Sequence, residues 1–406
     1  MPQRLTRRRF LAASAAVPFA VRALAEPPAE SHWVLIGTGT EKGIFRAMFD
    51  PSTGTLGAFE VAAEVSHPTY LALHPNLPLL YAANELPQGD GMLSSFKLER
   101  PSGELTLLAQ AGTDGNGPCY VSVDRSGHAA YAANYGGGSV TAVELISNGE
   151  FDAVTVFGCS TSLECGTLGP VKARQDAPHM HCAVISPDNH FVLSCDLGSD
   201  AIQIIPISPG RSGPNLMDPA PSSKHKPLGP PRGPRRIATR PGSGPRHLAF
   251  HPNGHHLYCI YELDCTIELF EWSVYNGFPT LRPVPGSVIS TLPAGTPTKS
   301  TSDHPSTGCE LAISPNGKSL YANTRGANTL AVYDIAHDGL LTEQQRIDTG
   351  GNVTRYFTFD PSRRWLLCAN QGSSTITVFS HDTSTGHLGD KPQTFPIDTP
   401  MFIQFL

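Results

Sequence analysis

At 406 residues with a formal net charge of −6 and 16% charged side chains, the chain carries no sustained basic run beyond its first residues that could track a phosphate backbone, which excludes nucleic acid as a partner. Its 39 glycines and 37 prolines together approach a fifth of the sequence, too many for long helices and natural where many short strands need turns. An all-β chain of this length fits a single domain.

The N-terminus reads as a leader. Thr6-Arg7-Arg8-Arg9-Phe10-Leu11 is similar to a twin-arginine export signal, and the apolar run from Phe10 to Val21 is only about a dozen residues long, where a spanning helix needs about 20. Ala23-Leu24-Ala25 supplies a small-x-small cleavage site. Residues 1–25 are therefore expected to be removed as a signal peptide. The mature chain, 26–406, is expected to be periplasmic or secreted, with no membrane anchor.

The next stretches, HWVLIGTG, GIFRAMFD and AFEVAAEV, read as second, third and fourth strands that lack a first. Six segments then share one grammar: an apolar strand, a turn with Pro or Gly, a second strand ending in a polar residue, and a third strand. They begin at Pro68, Pro118, His179, Pro245, Gly308 and Thr354, with turn residues at Pro75, Arg125, Pro187, Pro252, Pro315 and Pro361. The spacing, about 46 to 65 residues, is one four-stranded blade each. The C-terminal Pro400-Met401-Phe402-Ile403-Gln404-Phe405 reads as a first strand with nothing after it. The two ends make one composite blade, so the expected fold is an all-β, seven-bladed β-propeller closed by its C-terminal strand.

Two stretches stand outside this grammar. Ser208 to Gly244, crowded with Pro, Gly and basic residues, is expected to be a loop insertion of the third blade, with the cluster Arg232 through Arg240 solvated. Of the nine cysteines, Cys119, Cys182, Cys195, Cys259, Cys309 and Cys368 lie in apolar strand-like runs and are expected in the core. Cys159 and Cys165, in a loop, are placed to pair or to remain free.

In each blade the start of the first strand and the end of the second lie on one rim. Starts supply His179, His181, Arg246, His247, Glu310 and Arg355. Ends supply Asn84, Glu85, Asn134, Asp196, Glu262, Arg325 and Asn370. Carboxylates, imidazoles and guanidinium groups thus converge on one mouth, the expected place of an active site.

The strings GPRHLAFHPNG, NYGGGSV, APHMHCAVISPD and GTGTEKGIFRAMFD resemble the propeller lactonase family, of the 6-phosphogluconolactonase and carboxy-muconate cyclase type, across about residues 32–406. The resemblance implies a carboxylic ester hydrolase opening a sugar-acid lactone. It places the working set on His181 in HMHCAV, Arg246 in GPRH, Glu262 in YELD and Arg325 in NTRG. His179, Asn84, Glu85, His247 and Arg355 are the expected substrate-binding neighbours. In two places the sequence departs from the family. Tyr261 precedes Glu262 where Asn is common, and Ala312 stands where a basic residue is frequent, which weakens phosphate binding. No cofactor is expected and no metal, although His179, His181 and Asp196 form a rival metal set. The expected partner is a small-molecule lactone, and the expected state a monomer. A non-catalytic binding propeller and a muconate-type cycloisomerase are the alternatives.

Overall fold

The computed structural model describes residues 31–158, 166–207, 235–296, 306–390 and 392–406. The leader and the Cys159/Cys165 pair lie outside them. Among the described residues there is no helix. The chain opens with β1 (His32–Thr38), β2 (Ile44–Asp50), β3 (Thr55–Leu56) and β4 (Glu60–Ala63). The first complete blade is β5–β8 (Pro68–Leu73, Leu79–Asn84, Met92–Glu99, Glu104–Gly112), and the second is β9–β12 (Pro118–Val123, Ala129–Asn134, Ser139–Leu145, Phe151–Gly158). The third is β13–β16 (Val184–Ile185, Phe191–Asp196, Ala201–Pro206, Arg235–Ala238). The fourth is β17–β21 (Pro245–Phe250, His256–Tyr261, Thr266–Tyr275, Phe278–Pro283, Ile289–Ser290). The fifth is β22–β25 (Thr307–Ile313, Ser319–Arg325, Thr329–Ile335, Leu341–Asp348), and the sixth is β26–β29 (Thr354–Phe359, Trp365–Asn370, Thr375–Ser380, Gln393–Pro396). Last comes β30 (Pro400–Phe405).

Every sheet is antiparallel, and β30 pairs with β1 to give a composite blade of order β3-β2-β1-β30. The outermost place of that blade is shared by β3 and β4, both on β2. Seven blades result, as the repeat and the unmatched end strands require.

The apolar runs of the strands follow from burial on both faces. Alternate side chains of β1 enter opposite neighbours: Val34 and Ile36 pack with Leu367, Ala369 and Ile376 of the sixth blade, whereas Leu35 packs with Leu80, Ala82 and Phe96 of the first. A two-sided strand has no solvent face, so β6, β10 and β14 are buried throughout.

Two expectations need correction. The third blade has only a two-residue first strand, because the chain from His179 to Ala183 touches β14 through a single Met180–Asp196 bridge and the His181 amide to the Cys195 carbonyl. The Pro-rich stretch is not all loop either: Arg235–Ala238 is the fourth strand of that blade, paired with β15. Its arginines are compatible with a strand because their aliphatic stems cover the sheet while the heads reach the Pro279 and Ser199 carbonyls. Arg240, further on, pairs with Asp264 at 2.7 Å and lies over the Tyr261 ring.

One irregularity recurs in every blade and builds the site. Near the start of each inner strand the ladder slips by one residue, at Thr69, Cys119, Arg246, Arg355, Met401 and at Cys309–Glu310. In the third blade the slip falls between the Met180–Asp196 bridge and the Val184–Leu193 pair, the stretch that holds His181. A β-bulge re-aims a side chain. Seven of them, one per blade, form a tier around the central channel.

Deleting Pro400–Leu406 removes the partner of β1 together with buried Phe402 and Ile403. Losing each large buried side chain costs about 2–5 kcal/mol against a total stability of about 5–15. The truncated protein is expected to aggregate or to lose cooperative thermal unfolding by circular dichroism. A melting temperature equal to that of the full chain would mean that the termini do not share a blade.

Candidate active site

The bulge tier opens into a small cavity lined by Thr69, Cys119, Arg246, Arg355 and Met401, and by Tyr70, His247 and Tyr356, which follow three of them. Cys119, expected in the core, is buried as predicted but faces this cavity. Beneath it the rings stack into an arc: Tyr356 on Phe402 at 3.9 Å, Phe402 on Tyr70 at 4.1 Å and Tyr70 on Tyr120 at 4.2 Å. His247 continues the arc against Tyr120 at 5.5 Å.

Glu262 is the electrostatic centre. It follows β18 directly, and its amide donates to the Gly244 carbonyl at 2.7 Å, which fixes the carboxylate at the mouth. Only 2% exposed, it meets three guanidinium groups: Arg174 at 2.5 Å, Arg325 at 3.0 Å and Arg246 at 3.1 Å. Burial alone would raise its pKa, but Arg325, Arg246 and Arg174 outweigh burial and hold it at about 2. It is ionised at any physiological pH.

The arginines differ in what remains free. Arg246, 2% exposed, donates Nε to Glu262, and Nη1 to the Cys309 carbonyl at 2.5 Å and to His247 Nε2 at 3.2 Å. His247 in turn donates Nδ1 to Glu310 at 3.0 Å, which settles its tautomer. Arg246 therefore ties the fourth and fifth blades together. Arg325 is less engaged: burial pulls it below the usual arginine range, and its Nε has no hydrogen-bond partner. Arg355 faces Glu85 at 3.7 Å, across the composite blade that separates their two blades.

His181 lies between Cys119 and Glu262, with Nδ1 3.8 Å from the thiol sulfur and Nε2 3.8 Å from Glu262 Oε2. The second distance is too long for a hydrogen bond. Burial first, then Arg246, His247 and Arg355, push its pKa well below the ordinary histidine value. The ring is neutral at pH 7 and keeps a lone pair.

His179, expected beside the substrate, is stacked on Tyr135 at 4.4 Å, donates Nδ1 to the Tyr135 carbonyl at 2.9 Å and faces Asp176 with Nε2 at 3.2 Å. Asn84, also expected there, is instead a structural post: its amide donates to the Ser66 carbonyl and its oxygen accepts from Ser94. Asn134 donates its amide to the Ser139 and Thr141 hydroxyls, while Asn370 accepts from the Thr354 hydroxyl and donates to that of Thr377. The rival metal set does not converge, because the Asp196 carboxylate accepts from the amides of His179, Gly198 and Ser199. Among the described residues no group of three or more His, Cys, Asp or Glu side chains is arranged around a cation site.

Arg174 is the residue that sequence reasoning missed. It sits in the segment before His179, which has no strand period. Gln175 pins that segment, donating to the Leu197 carbonyl and accepting from the Val171 amide, both at 2.9 Å. The segment lies so close to the turn after β14 that a Cβ at Gly198 would fall 1.7 Å from the Ala177 carbonyl oxygen. Arg174 thereby reaches both Glu262 and the Tyr135 hydroxyl.

Residues 33–405 match the family described as lactonase, 7-bladed beta-propeller. The 6-phosphogluconolactonase of Bacillus subtilis is 29% identical over 91% of this chain and 95% of its own length. A 6-phosphogluconolactonase of Formosa agariphila is 28% identical over 91% and 98%. Among solved structures, the periplasmic gluconolactonase of Pseudomonas aeruginosa superimposes with a TM-score of 0.78 at 27% identity, covering 93% of this chain and 99% of that one.

Removing the central charge leaves buried guanidinium groups unneutralised, which costs about 3–5 kcal/mol. Glu262→Gln should therefore melt well below the wild type at pH 7. Unfolded, Glu262 titrates near the ordinary glutamate value of 4.5; folded, it stays ionised down to about 2. Wild-type stability should fall as pH drops from about 4.5 towards 2. Glu262→Gln should lose that part of the acid sensitivity, which chemical denaturation at pH 7, 4 and 3 would measure.

Proposed function

The chain belongs to the seven-bladed β-propeller lactonase family, and we propose that its funnel opens the ring of a sugar-acid lactone by water attack, without phosphate as an essential handle. The observation that carries this reading is a neutral, buried imidazole, His181, beside an ionised Glu262 that gathers three guanidinium groups at a small cavity. The relatives named for 6-phosphogluconolactonase and gluconolactonase support the reaction class.

In this reading His181 accepts the proton of the attacking water as the water oxygen bonds to the lactone carbonyl carbon. Imidazolium then forms 3.8 Å from Glu262, whose negative charge stabilises it. The carbonyl oxygen gains charge where Arg325 offers an unengaged Nε and Arg174 stands partly exposed, both permanently charged donors. Collapse of the tetrahedral adduct breaks the ring C–O bond, and the departing ring oxygen takes the proton back from His181. Arg246, bonded to three partners and lining the cavity, holds this set together beside the substrate. The Arg7-Arg8 leader motif and the periplasmic neighbour together support action outside the cytoplasm on an unphosphorylated lactone.

The test is hydrolysis of glucono-δ-lactone by purified mature protein, above the spontaneous rate. His181→Ala should lower kcat/KM at least about a hundredfold, and Arg325→Ala about 10²–10³-fold, with unchanged folding. Because the base is held below the ordinary histidine range, wild-type kcat/KM should stay flat as pH falls through 6.5 and decline only at lower pH. A His181→Ala enzyme as active as wild type would overturn the mechanism. Ring closure of an unsaturated diacid without lactone hydrolysis would make the chain a cycloisomerase.

A further inference from the structure

The cavity is lined on the first and sixth blades by Thr69 and Arg355, groups that the proposed chemistry leaves unused. Pro68, at the start of β5, pairs with Asn84, at the end of β6, so the next residues, Thr69 and Glu85, share one rim. Thr69 is 6% exposed, lines the cavity, and its hydroxyl has no hydrogen-bond partner. Glu85 Oε2 is likewise buried without a hydrogen-bond partner, since Arg355 Nη2 stands 3.7 Å away. An unsatisfied buried polar atom costs about 1–3 kcal/mol, so groups left in this state in a cavity are ready for a polar ligand. Arg355, from the sixth blade, lines the same cavity and adds a donor.

We propose that Thr69, Glu85 and Arg355 form a subsite that reads ring hydroxyls, the feature that separates a polyhydroxy lactone from a bare one. The inference rests on the lactone reading given above and deepens it. Glu85 Oε2 accepts from one hydroxyl, Thr69 donates to its neighbour or accepts from it, and Arg355 donates to the oxygen of either. Two acceptors and a fork of donors, on the two blades that flank the composite blade, suit vicinal hydroxyls, each of which is both donor and acceptor. A lactone without hydroxyls leaves all three groups unpaired, and a site built for hydrogen bonds discriminates strongly against such an analogue.

The experiment compares wild type, Thr69→Val and Glu85→Gln on glucono-δ-lactone and on δ-valerolactone, the same ring without hydroxyls. Both substitutions preserve shape. Each variant is expected to lower the ratio of kcat/KM for the hydroxylated over the bare lactone by about tenfold or more. Equal losses on both substrates, or no change, would overturn the subsite. Calorimetric binding of D-gluconate, which cannot be hydrolysed, separates the two readings. If wild type opens neither lactone but both variants weaken gluconate binding, the subsite stands and the hydrolase reading falls. If gluconate binds to no form, or equally to all three, the subsite falls.

Discussion

The pairing of β30 with β1 is the constraint from which the rest of the molecule follows. A ring of blades positions its channel only when closed, since each blade buries both faces against its neighbours and an open end would expose an unpaired edge. Closure brings Met401 and Phe402, the last inner-strand residues, between Tyr356 and Tyr70, and so completes the tiers that began more than 300 residues earlier. Without the C-terminal strand the Glu85–Arg355 pair would have no composite blade to span.

Within the closed ring, one charge organises the mouth. Glu262 draws Arg246 from its own blade, Arg325 from the next and Arg174 from the segment preceding the third blade's inner strand, so that three separate stretches are held by one carboxylate. Taking such charges out of water is costly, and the cost is offset in part where further donors are met: Arg246 by Cys309 and His247, and His247 by Glu310. Burial, and then the same positive surroundings, keep His181 neutral. Structural ion pairing and poising of a base are here one arrangement.

The architecture was legible because a propeller is written as a period, and the unmatched strands at the two ends could be read as halves of one blade. His181, Arg246, Glu262 and Arg325 were placed on one mouth because strand starts and ends share a rim. What could not be read were places where side-chain pattern and backbone part company. Arg174 lies in an irregular segment, and nothing in its neighbours announces the turn that carries it across to Glu262. Arg235–Ala238 hides a strand behind arginines whose stems, not heads, do the covering. The bulges were also invisible, since a one-residue slip leaves alternation intact on both sides. They explain why Cys119, apolar by context, meets the cavity, while Asn84, polar and well placed, does not.

The arc of rings beneath the cavity bounds the site. Centroids 3.9–4.2 Å apart leave no gap for a solute between Tyr356, Phe402, Tyr70 and Tyr120, so on this side the channel is walled by a continuous row of rings. Opening of a lactone ring converts a neutral ester into a carboxylate within a mouth where Arg174, Arg246, Arg325 and Arg355 outnumber the carboxylates of Glu85, Glu262 and Glu310. A carboxylate formed in such a mouth would meet these guanidinium groups, an attraction that salt weakens.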